Sequence, residues 1–301
     1  MNVLYYITNP RTIGFSLTRR FGQWLPDALY LKLLYYFKLG KRLNLKNPQS
    51  FTEKLQWLKL YNRRPEYTSL VDKYEVKRYI EKKIGKEYII PTLGVWDKFD
   101  EINFANLPSR FVLKTTHGGG SSGVVICKEK KSFDMSTARI RINDSMAGDI
   151  YRGYREWPYK NVRKRIIAEQ YMEDDSGELR DYKFYCFNGE PKVLLVASNR
   201  FTDHNFNYFD LDFNKLPIES RDGKNSTQTL EKPYNLEEMI SISRKLSEGI
   251  PHVRVDLYSC NNKVYFGELT FFDGSGFDDM SSKEWDLKFG SWIHLPNKFN
   301  S

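Results

Sequence analysis

Apolar and polar positions along the middle of the chain follow patterns that predict short strands. Residues 111–113 are apolar and lead to Lys114, residues 124–126 are β-branched, and the loop between them holds four glycines and two serines, which predicts strand, loop and strand. Residues 180–187 alternate like a strand, and Asn188-Gly189 is a strong hairpin signal directly after them. Residues 165–172 are typical of a buried strand. These patterns indicate sheet structure in the centre of the chain.

Helical signals are found on both sides of these strands. Residues 1–65 are basic and helical in pattern, and Ser50-Phe-Thr-Glu53 fits a capping box at a helix start. Residues 68–84 place apolar side chains near one face and are followed by Gly85, which predicts one continuous helix. A further helix is predicted from residue 235 to Gly249. Helices and strands together predict an α+β fold.

The last two predicted strands each carry polar side chains on one face. In residues 252–258, Arg254 and Asp256 alternate with apolar residues, and Glu268 and Thr270 share a face of the following strand. The register between the two strands decides whether these faces meet.

The connection at Asn261-Asn262 sets that register. A two-residue turn would pair Asp256 with Gly267, whereas an odd-numbered loop centred on Asn262 would pair Asp256 with Glu268. The second arrangement brings the two Cβ atoms to about 4.5–5.5 Å. Two carboxylates this close repel unless a cation lies between them, and Mg²⁺ suits such oxygen ligands. We predict the odd loop and a metal site on this hairpin.

The glycine-rich loop at residues 118–123 follows Lys114, so backbone N–H groups and one cation are available to an anion. A Walker P-loop is excluded because Gly123 is followed by Val124 rather than by Lys. A Rossmann fingerprint requires a helix after the glycines, whereas the β-branched residues 124–126 favour a strand, so this reading is disfavoured. The protein-kinase glycine pattern fits, but the His-Arg-Asp and Asp-Phe-Gly motifs are missing. A glycine-rich hairpin without a ligand stays open as the alternative.

Amino-acid composition limits the kinds of binding partner that the protein is expected to have. The 301 residues carry a net charge of +9, which favours anionic partners such as nucleotide, acidic polysaccharide, nucleic acid or a membrane surface. No Lys- or Arg-rich block stands out, so dedicated nucleic-acid binding is not expected. The three cysteines lie in apolar contexts and are read as buried free thiols of a reducing compartment. With no signal peptide or membrane span recognised, we expect a cytoplasmic protein, with peripheral association with the inner membrane face as a variant.

Several stretches in a fixed order resemble the ATP-grasp superfamily, and most closely the TupA-like (teichuronopeptide biosynthesis-type) ATP-grasp family. They are, in chain order, Phe51-Thr-Glu-Lys-Leu-Gln-Trp, Phe111-Val-Leu-Lys, residues 118–125, Asp181-Tyr-Lys-Phe-Tyr-Cys-Phe-Asn-Gly, Val253-Arg-Val-Asp-Leu-Tyr and Phe266-Gly-Glu-Leu-Thr-Phe. The resemblance covers roughly residues 40–295 and implies two α+β lobes that sandwich ATP. The domains expected from it are an N-terminal helical region (1–65), an N-terminal lobe (66–100), a small lobe with the glycine-rich lid (101–172) and a large lobe with the Mg²⁺-binding hairpin (173–301).

The resemblance also implies a set of ATP contacts. The implied nucleotide-binding residues are Lys73, Lys114, Gly118, Gly119, Gly120, Ser121, Ser122, Gly123, Glu169, Gln170, Met172, Asp174, Asp175 and Lys183. In this set the glycine loop closes over the phosphates and Gln170 and Met172 meet the adenine through their backbone. Asp174 or Asp175 reaches the ribose. Taken alone, Lys73 would be read as a solvated surface charge.

The metal and catalytic residues are implied in the same way. Asp256, Glu268 and Thr270 would hold Mg²⁺, while Arg254 and Lys183 would stabilise charge during phosphoryl transfer. Many ATP-grasp ligases have Asn where Thr270 stands, which puts the number of metals in doubt. Candidate acceptor-binding residues are Arg200, His204, Arg221, Ser275 and Gly276, with ordinary loop or turn polarity as the alternative.

The activity implied is that of an ATP-dependent carboxylate–amine ligase. An acyl phosphate would form on an acidic saccharide or saccharide-lipid acceptor, and an amino acid or amine would then displace phosphate. A kinase or glycosyltransferase of the same polysaccharide pathway is the alternative, for which Asp210-Leu-Asp212 offers a formal Asp-x-Asp motif. A non-catalytic ATP-binding or scaffold protein is a third class.

Overall fold

A computed structural model describes residues 10–174, 179–198, 205–219, 230–278, 280 and 282–298. The first sheet is antiparallel, with strands in the order β1-β4-β2-β3. Its strands are β1 (Thr92–Trp96), β2 (Phe111–Thr115), β3 (Val124–Cys127) and β4 (Ile166–Gln170). β2 and β3 flank the glycine-rich loop, as predicted. The predicted domain boundary at residue 100 cuts through this sheet, because β1 pairs with β4.

The second sheet is also antiparallel, and its strand order is β7-β6-β5-β8-β9. Its strands are β5 (Asp181–Phe187), β6 (Glu190–Ser198), β7 (Asn205–Phe209), β8 (His252–Cys260) and β9 (Lys263–Thr270). Asn188 and Gly189 form the turn between β5 and β6, with φ values of 51° and 87°. Positive φ at both positions is what a tight hairpin turn requires, so the predicted hairpin is confirmed.

Of the helices in the described ranges, five precede the first strand in the chain, and four follow or separate the later strands. They are α1 (Pro10–Phe21), α2 (Asp27–Leu39), α3 (Phe51–Tyr61), α4 (Tyr67–Val71), α5 (Val76–Lys83), α6 (Met135–Ala147), α7 (Ile150–Tyr154), α8 (Leu236–Ser247) and α9 (Lys283–Trp292). The capping box at Ser50 and Glu53 is confirmed at the start of α3. In the described part of the chain, no helix is long and apolar enough to cross a membrane. The α+β fold class is confirmed.

Each sheet has its own apolar core, and the α1–α2 region has a third. The largest core surrounds the five-stranded sheet and includes Phe51 of α3 and Phe289 of α9. Cys127, Cys186 and Cys260 are buried and form no disulfide, in agreement with the sequence. The N-terminal helix α3 therefore belongs to the packing of the second sheet and is not a separate appendage.

The single helix predicted for residues 68–84 is wrong. The chain forms α4, leaves the helical conformation at Asp72, and starts again as α5. The Asp72 carboxylate accepts hydrogen bonds from the N–H groups of Tyr74 and Glu75 at 2.8 and 3.1 Å, so it caps a new helical start. Lys73 lies in this break, and its own N–H donates to the Thr116 carbonyl at 2.9 Å.

The predicted odd-numbered loop between β8 and β9 is also wrong. The predicted pairing of Asp256 with Glu268 is nevertheless correct. Cys260 pairs with Lys263, so Asn261 and Asn262 form a two-residue turn, with φ values of 51° and 58°. A β-bulge then shifts the register, because Leu257 pairs with Phe266 and Asp256 pairs with Glu268. Gly267 is the extra residue of the bulge.

We expect Gly267→Ala to lower the free energy of unfolding by about 1–2 kcal/mol, because overpacking of a tight site costs energy of this order. A Cβ at this position would lie 3.0 Å from the Asp256 carbonyl oxygen and 3.0 Å from the Tyr258 ring. Urea denaturation measures the loss. Gly119→Ala is the control, because its new Cβ would meet the flexible end of Ile150 at 3.3 Å. Equal stability of the two variants would contradict a tight bulge.

Candidate active site

A cavity of about 1080 Å³ is lined by residues from both sheets. It gathers most of the predicted site residues: Lys73, Lys114, Gly118, Gly119, Gly120, Ser121, Ser122, Lys183, Arg254, Asp256, Glu268, Thr270, Ser275 and Gly276. Gly123, Glu169, Gln170, Met172 and Asp174 are described but are not part of its lining. Asp175, Arg200, His204 and Arg221 lie outside the described residues.

Asp256 and Glu268 face each other across β8 and β9, and Arg254 pairs with Thr270 two positions further along. The Arg254 guanidinium donates to both carboxylate oxygens of Asp256, at 2.7 and 2.8 Å. It also bonds Asp273, and its Nη2 lies 3.7 Å from Glu268. This bidentate, buried pairing fixes the direction of the Asp256 carboxylate.

Lys183 reaches the same carboxylate from the neighbouring strand β5. Its ammonium bonds Asp256 and lies 3.3 Å from Asp181. Burial alone would lower the pKa of Lys183, but Asp181 and Asp256 outweigh burial and raise it. Lys183 is therefore a permanent cation in the cavity at neutral pH.

Glu268 is surrounded by cations. The Lys73 ammonium lies 3.1 Å from its carboxylate, and the Thr270 hydroxyl donates to it at 3.2 Å. Burial would raise the pKa of Glu268, but Lys73, Lys183 and Arg254 together hold it well below its usual range. The carboxylate is ionised throughout the physiological range.

The donor set of this hairpin fits Mg²⁺ that arrives with phosphate groups. Among the described residues, no group of three or more His, Cys, Asp or Glu side chains is arranged to hold a metal. Mg²⁺ is commonly held by one or two carboxylates together with substrate phosphates and water, and two facing carboxylates meet that need. The surrounding cations now pair with the carboxylates and are placed to pair with phosphate oxygens instead.

The glycine-rich loop packs closely on helix α6. A Cβ on Gly118 or Gly123 would overlap the hydroxyls of Thr115 or Ser145. Gly120 has a positive φ of 62°, and a side chain there would meet no atom within 4 Å. Arg141 on α6 donates to the carbonyls of Ser121 and Ser122 at 2.8 and 3.2 Å. Two glycines are thus required by close packing, and one by its backbone conformation.

Lys73 links the glycine-rich loop to the β8–β9 hairpin. Its ammonium donates to the Gly118 carbonyl at 2.7 Å as well as to Glu268. One side chain therefore connects the small sheet with the large one. The solvated surface charge that Lys73 suggests when read alone does not match this position.

Glu169 on β4 holds two lysines together. Lys114 and Lys77 lie 2.6 and 2.5 Å from its two carboxylate oxygens. Burial would raise the pKa of Glu169, but the two ammonium groups lower it. The Gln170 N–H already donates to the Pro91 carbonyl at 3.0 Å, which leaves that donor inaccessible to a ligand in this conformation.

A second loop, at residues 273–276, also lines the cavity. Gly274, Ser275 and Gly276 have φ values of 52°, 54° and 63°, a left-handed run that is unfavourable for Ser. Partners from distant segments hold it: Gln56 donates to the Gly276 carbonyl at 2.7 Å, and Lys59 donates to the Ser275 carbonyl at 2.6 Å. The Ser275 hydroxyl donates to Glu156.

Sequence reasoning missed several residues of this site. They are Gln56, Lys59, Lys77, Arg141, Glu156, Asp181 and Asp273. Lys77 had a usable signal, because it follows Lys73 by four residues, although the break at Asp72 obscures it. Lys59 and Gln56 had none, since nothing local marks a helical lysine as buried.

Two antiparallel sheets around a cavity with facing carboxylates, clustered cations and a glycine-rich hairpin define the α+β ATP-grasp fold. The model of the TupA-like ATP-grasp family matches residues 53–294. This match spans most of the chain, so the protein belongs to that family. A search of the curated proteins finds no match to the chain.

Solved structures with distant similarity are ATP-grasp proteins. The D-alanine–D-alanine ligase of Bacillus anthracis is 17% identical, with 67% of this chain and 57% of that chain covered and a TM-score of 0.40. The Helicobacter pylori D-alanine–D-alanine ligase is 18% identical, with 82% and 70% covered and a TM-score of 0.40. A RimK domain ATP-grasp protein of Sphaerobacter thermophilus is 11% identical, with 77% and 70% covered and a TM-score of 0.41. The match thus spans little more than half of the Bacillus anthracis ligase.

Proposed function

We propose that this protein is an ATP-dependent carboxylate–amine ligase that joins an amino acid or amine to a sugar carboxylate in the synthesis of a cell-surface polysaccharide. Membership of an ATP-grasp family supports ATP as the energy source. The single observation that carries the chemistry is the facing pair Asp256–Glu268 with Lys73, Lys183 and Arg254 around it. With a lipid-linked acceptor, the enzyme would work at the inner membrane face.

In this proposal the nucleotide phosphates lie between the glycine-rich loop and the β8–β9 hairpin. Asp256, Glu268 and Thr270 would hold Mg²⁺, which neutralises phosphate charge when it is bound. Lys73, Lys114 and Lys183 bind phosphate oxygens, and residues 118–123 exclude water. Backbone groups of Gln170 and Met172 other than the Gln170 N–H meet the adenine, and Asp174 or Asp175 the ribose. Arg254 stabilises the charge that develops on the transferred group.

The reaction has two steps. An oxygen of the acceptor carboxylate attacks the γ-phosphorus and ADP leaves, which gives an acyl phosphate. The amine nitrogen then attacks the acyl carbon, loses a proton, and releases inorganic phosphate with the amide. Excluding water protects the acyl phosphate from hydrolysis. Ser275 and Gly276, on the loop at residues 273–276 that lines the cavity, are the acceptor-side residues in this arrangement, and Arg200, His204 and Arg221 are proposed with them.

The glycosyltransferase alternative gains no support from Asp210-Leu-Asp212. The Asp210 carboxylate accepts hydrogen bonds from the N–H groups of Asp212 and Asn214 at 3.0 and 2.8 Å, and from the Asn214 side chain at 2.9 Å. Neither aspartate lines the cavity. These are the contacts of an aspartate that stabilises a turn, so Asp210 has a structural explanation.

Oxygen transfer tests the ligase proposal directly. Purified protein is incubated with Mg²⁺-ATP, uronic-acid sugars labelled with ¹⁸O in the carboxylate, and pools of amino acids. We expect ADP only when carboxylate and amine are both present, a product lighter than the two substrates by one water, and one ¹⁸O in the released phosphate. A stable phosphorylated sugar formed without an amine would contradict the ligase and favour a kinase.

A further inference from the structure

Helix α1 has an apolar face that points away from the body of the protein. Ile13, Leu17 and Phe21 follow one another at intervals of four residues, and Trp24 comes in the next turn. These four side chains, here called the apolar stripe, are 36%, 51%, 61% and 82% exposed. Large apolar side chains exposed in such a row mark an interaction surface and not ordinary surface scatter.

The opposite face of α1 makes the contacts with the protein. A Cβ on Gly14 would overlap the Phe37 ring of α2, and the Phe15 ring packs edge-on against Phe277. Arg19 stacks on the Tyr154 ring at 4.5 Å. The helix is therefore held in place by its inner face, and among the described residues its outer face is left exposed.

Charge identifies the kind of surface. Residues 10–46 contain eight basic residues and one acidic residue, so they carry +7 of the net +9 of the chain. The single acid, Asp27, is already paired with Arg63 and Arg155 at 2.5 and 2.8 Å. Arg20 lies beside the stripe, with its guanidinium over the Phe21 ring. Helix α2 adds Lys32 between exposed Leu29 and Tyr36.

We propose that the α1–α2 helices dock the protein on an anionic membrane surface, with the apolar stripe inserted among lipid headgroups. Exposed Trp, Phe and Leu on one face with Arg and Lys beside them are the features of interfacial helices. Anionic lipid headgroups attract such a basic region over about one Debye length. This inference rests on the surface of residues 10–46 and does not depend on the proposed ligase reaction.

Other occupants fit this surface less well. A second copy of the chain would bring two regions of charge +7 together, and like charges across an interface repel. Nucleic acid is bound through phosphate contacts to basic and polar groups, which leaves an inserted row of Ile, Leu, Phe and Trp unexplained.

The docking surface adjoins the cavity. Arg19 on the inner face of α1 lines the cavity, as do Tyr154 and Glu156. In this proposal, a single helix has one face toward lipid and the other toward the part of the cavity that Tyr154 and Glu156 line. Where the proposed ligase reaction holds, this position suits an acceptor carried on a membrane lipid.

Vesicle sedimentation of the full chain tests the proposal. Vesicles of phosphatidylcholine alone are compared with vesicles that contain about one-third phosphatidylglycerol, at roughly 0.1 M salt. We expect binding to the anionic vesicles, little to the neutral ones, and loss of binding in about 0.5 M salt, where the Debye length is short. No binding to anionic vesicles, or equal binding to neutral ones, would overturn the proposal.

Matched variants locate the surface. We expect Leu17→Ser/Phe21→Ser/Trp24→Ser to weaken vesicle binding by about tenfold or more, because it removes most of the inserted apolar area. Ile140→Ser/Tyr234→Ser removes side chains that are 63% and 91% exposed elsewhere, and should bind as the native chain does. Arg20→Gln/Lys32→Gln should weaken binding more than Lys82→Gln/Lys131→Gln. Equal effects within either pair of variants would overturn the assignment.

The fluorescence of Trp24 reports whether the apolar stripe inserts into the lipid headgroup region. Anionic vesicles should shift the tryptophan emission to shorter wavelength in the native chain, and this shift should be lost in Trp24→Phe, which still sediments with vesicles. Sedimentation velocity of the native chain and of the triple Ser variant tests whether a second copy of the chain binds the apolar stripe. A dimer that only the native chain forms, without vesicle binding, would assign the stripe to a second copy and overturn the proposal.

Discussion

Replacing Glu268 by Gln is expected to reduce ATP turnover on the order of 10²–10³-fold, the loss typical of removing one group that stabilises phosphoryl-transfer charge. Glu268 is one of two facing carboxylates on the β8–β9 hairpin, and it is the more exposed of the two. Gln keeps the shape of the side chain and its contact with Thr270 but removes the charge that would hold Mg²⁺. The expected signature is a higher Mg²⁺ requirement with unchanged binding of ADP in the absence of Mg²⁺.

Glu190→Gln is the matched control for Glu268→Gln. Glu190 lies at the start of β6 in the same sheet, and its partner Arg244 is exposed, so the lost ion pair is worth little. Titration calorimetry with Mg²⁺-ADP and a coupled ADP assay across a range of Mg²⁺ concentrations separate metal binding from turnover. Equal Mg²⁺ dependence in the native chain and in Glu268→Gln would contradict the metal role of this residue.

The depressed pKa of Glu268 adds a pH dependence with a definite sign. A carboxyl whose folded pKa is depressed contributes stability that is present above the unfolded pKa, about 4.3, and is lost as pH falls through the folded value. The stability difference between the native chain and Glu268→Gln should therefore be constant at neutral pH and shrink progressively as pH falls below about 4.3. Denaturation curves at neutral pH and at about pH 3 measure this change.

The strands could be predicted from the sequence because alternation and turn dipeptides involve only neighbouring residues. Alternation placed Arg254 and Asp256 on one face of β8, and Asn188-Gly189 marked the β5–β6 hairpin correctly. The β8–β9 register shows the limit of such patterns. Asn261 and Asn262 form the two-residue turn that their types favour, and the pairing of Asp256 with Glu268 comes from a bulge at Gly267. A bulge depends on packing across both strands, which no local pattern records.

The polar network of the cavity was harder to predict, because its partners are far apart in sequence. Lys59 meets the carbonyl of Ser275, and Asp72 meets Arg165, at separations of 216 and 93 residues. On the sequence, Lys59 is one of several lysines in an amphipathic helix, and the usual expectation for such a lysine is exposure. Only the packing of α3 against the second sheet shows that it is completely buried.

The Lys59→Met variant is expected to lose about 3 kcal/mol of unfolding free energy, the cost typical of breaking a buried charge pair. The Lys59 ammonium donates to the Gln56 side chain at 3.0 Å and to the carbonyls of Tyr154 and Ser275 at 3.0 and 2.6 Å. Met fills the same space but leaves both carbonyls without this donor and Glu156 without its nearby cation. Exposed Lys82→Met is the control, and urea denaturation measures both.

Glu156 determines how this loss depends on pH. Burial raises the pKa of Glu156 to about 6, although Lys59 lowers it, and burial lowers the pKa of Lys59 to about 7. Without Lys59, the pKa of Glu156 must rise further, and a carboxyl with a raised pKa loses stability as pH increases through that value. The destabilisation by Lys59→Met should therefore be smaller at about pH 5 than at about pH 8, and smaller again in Lys59→Met/Glu156→Gln. If neither acid nor the second substitution restores stability, the loss comes from packing and hydrogen bonds alone. Relief by both would show that a charge pair beneath residues 273–276 holds the left-handed conformation of that loop.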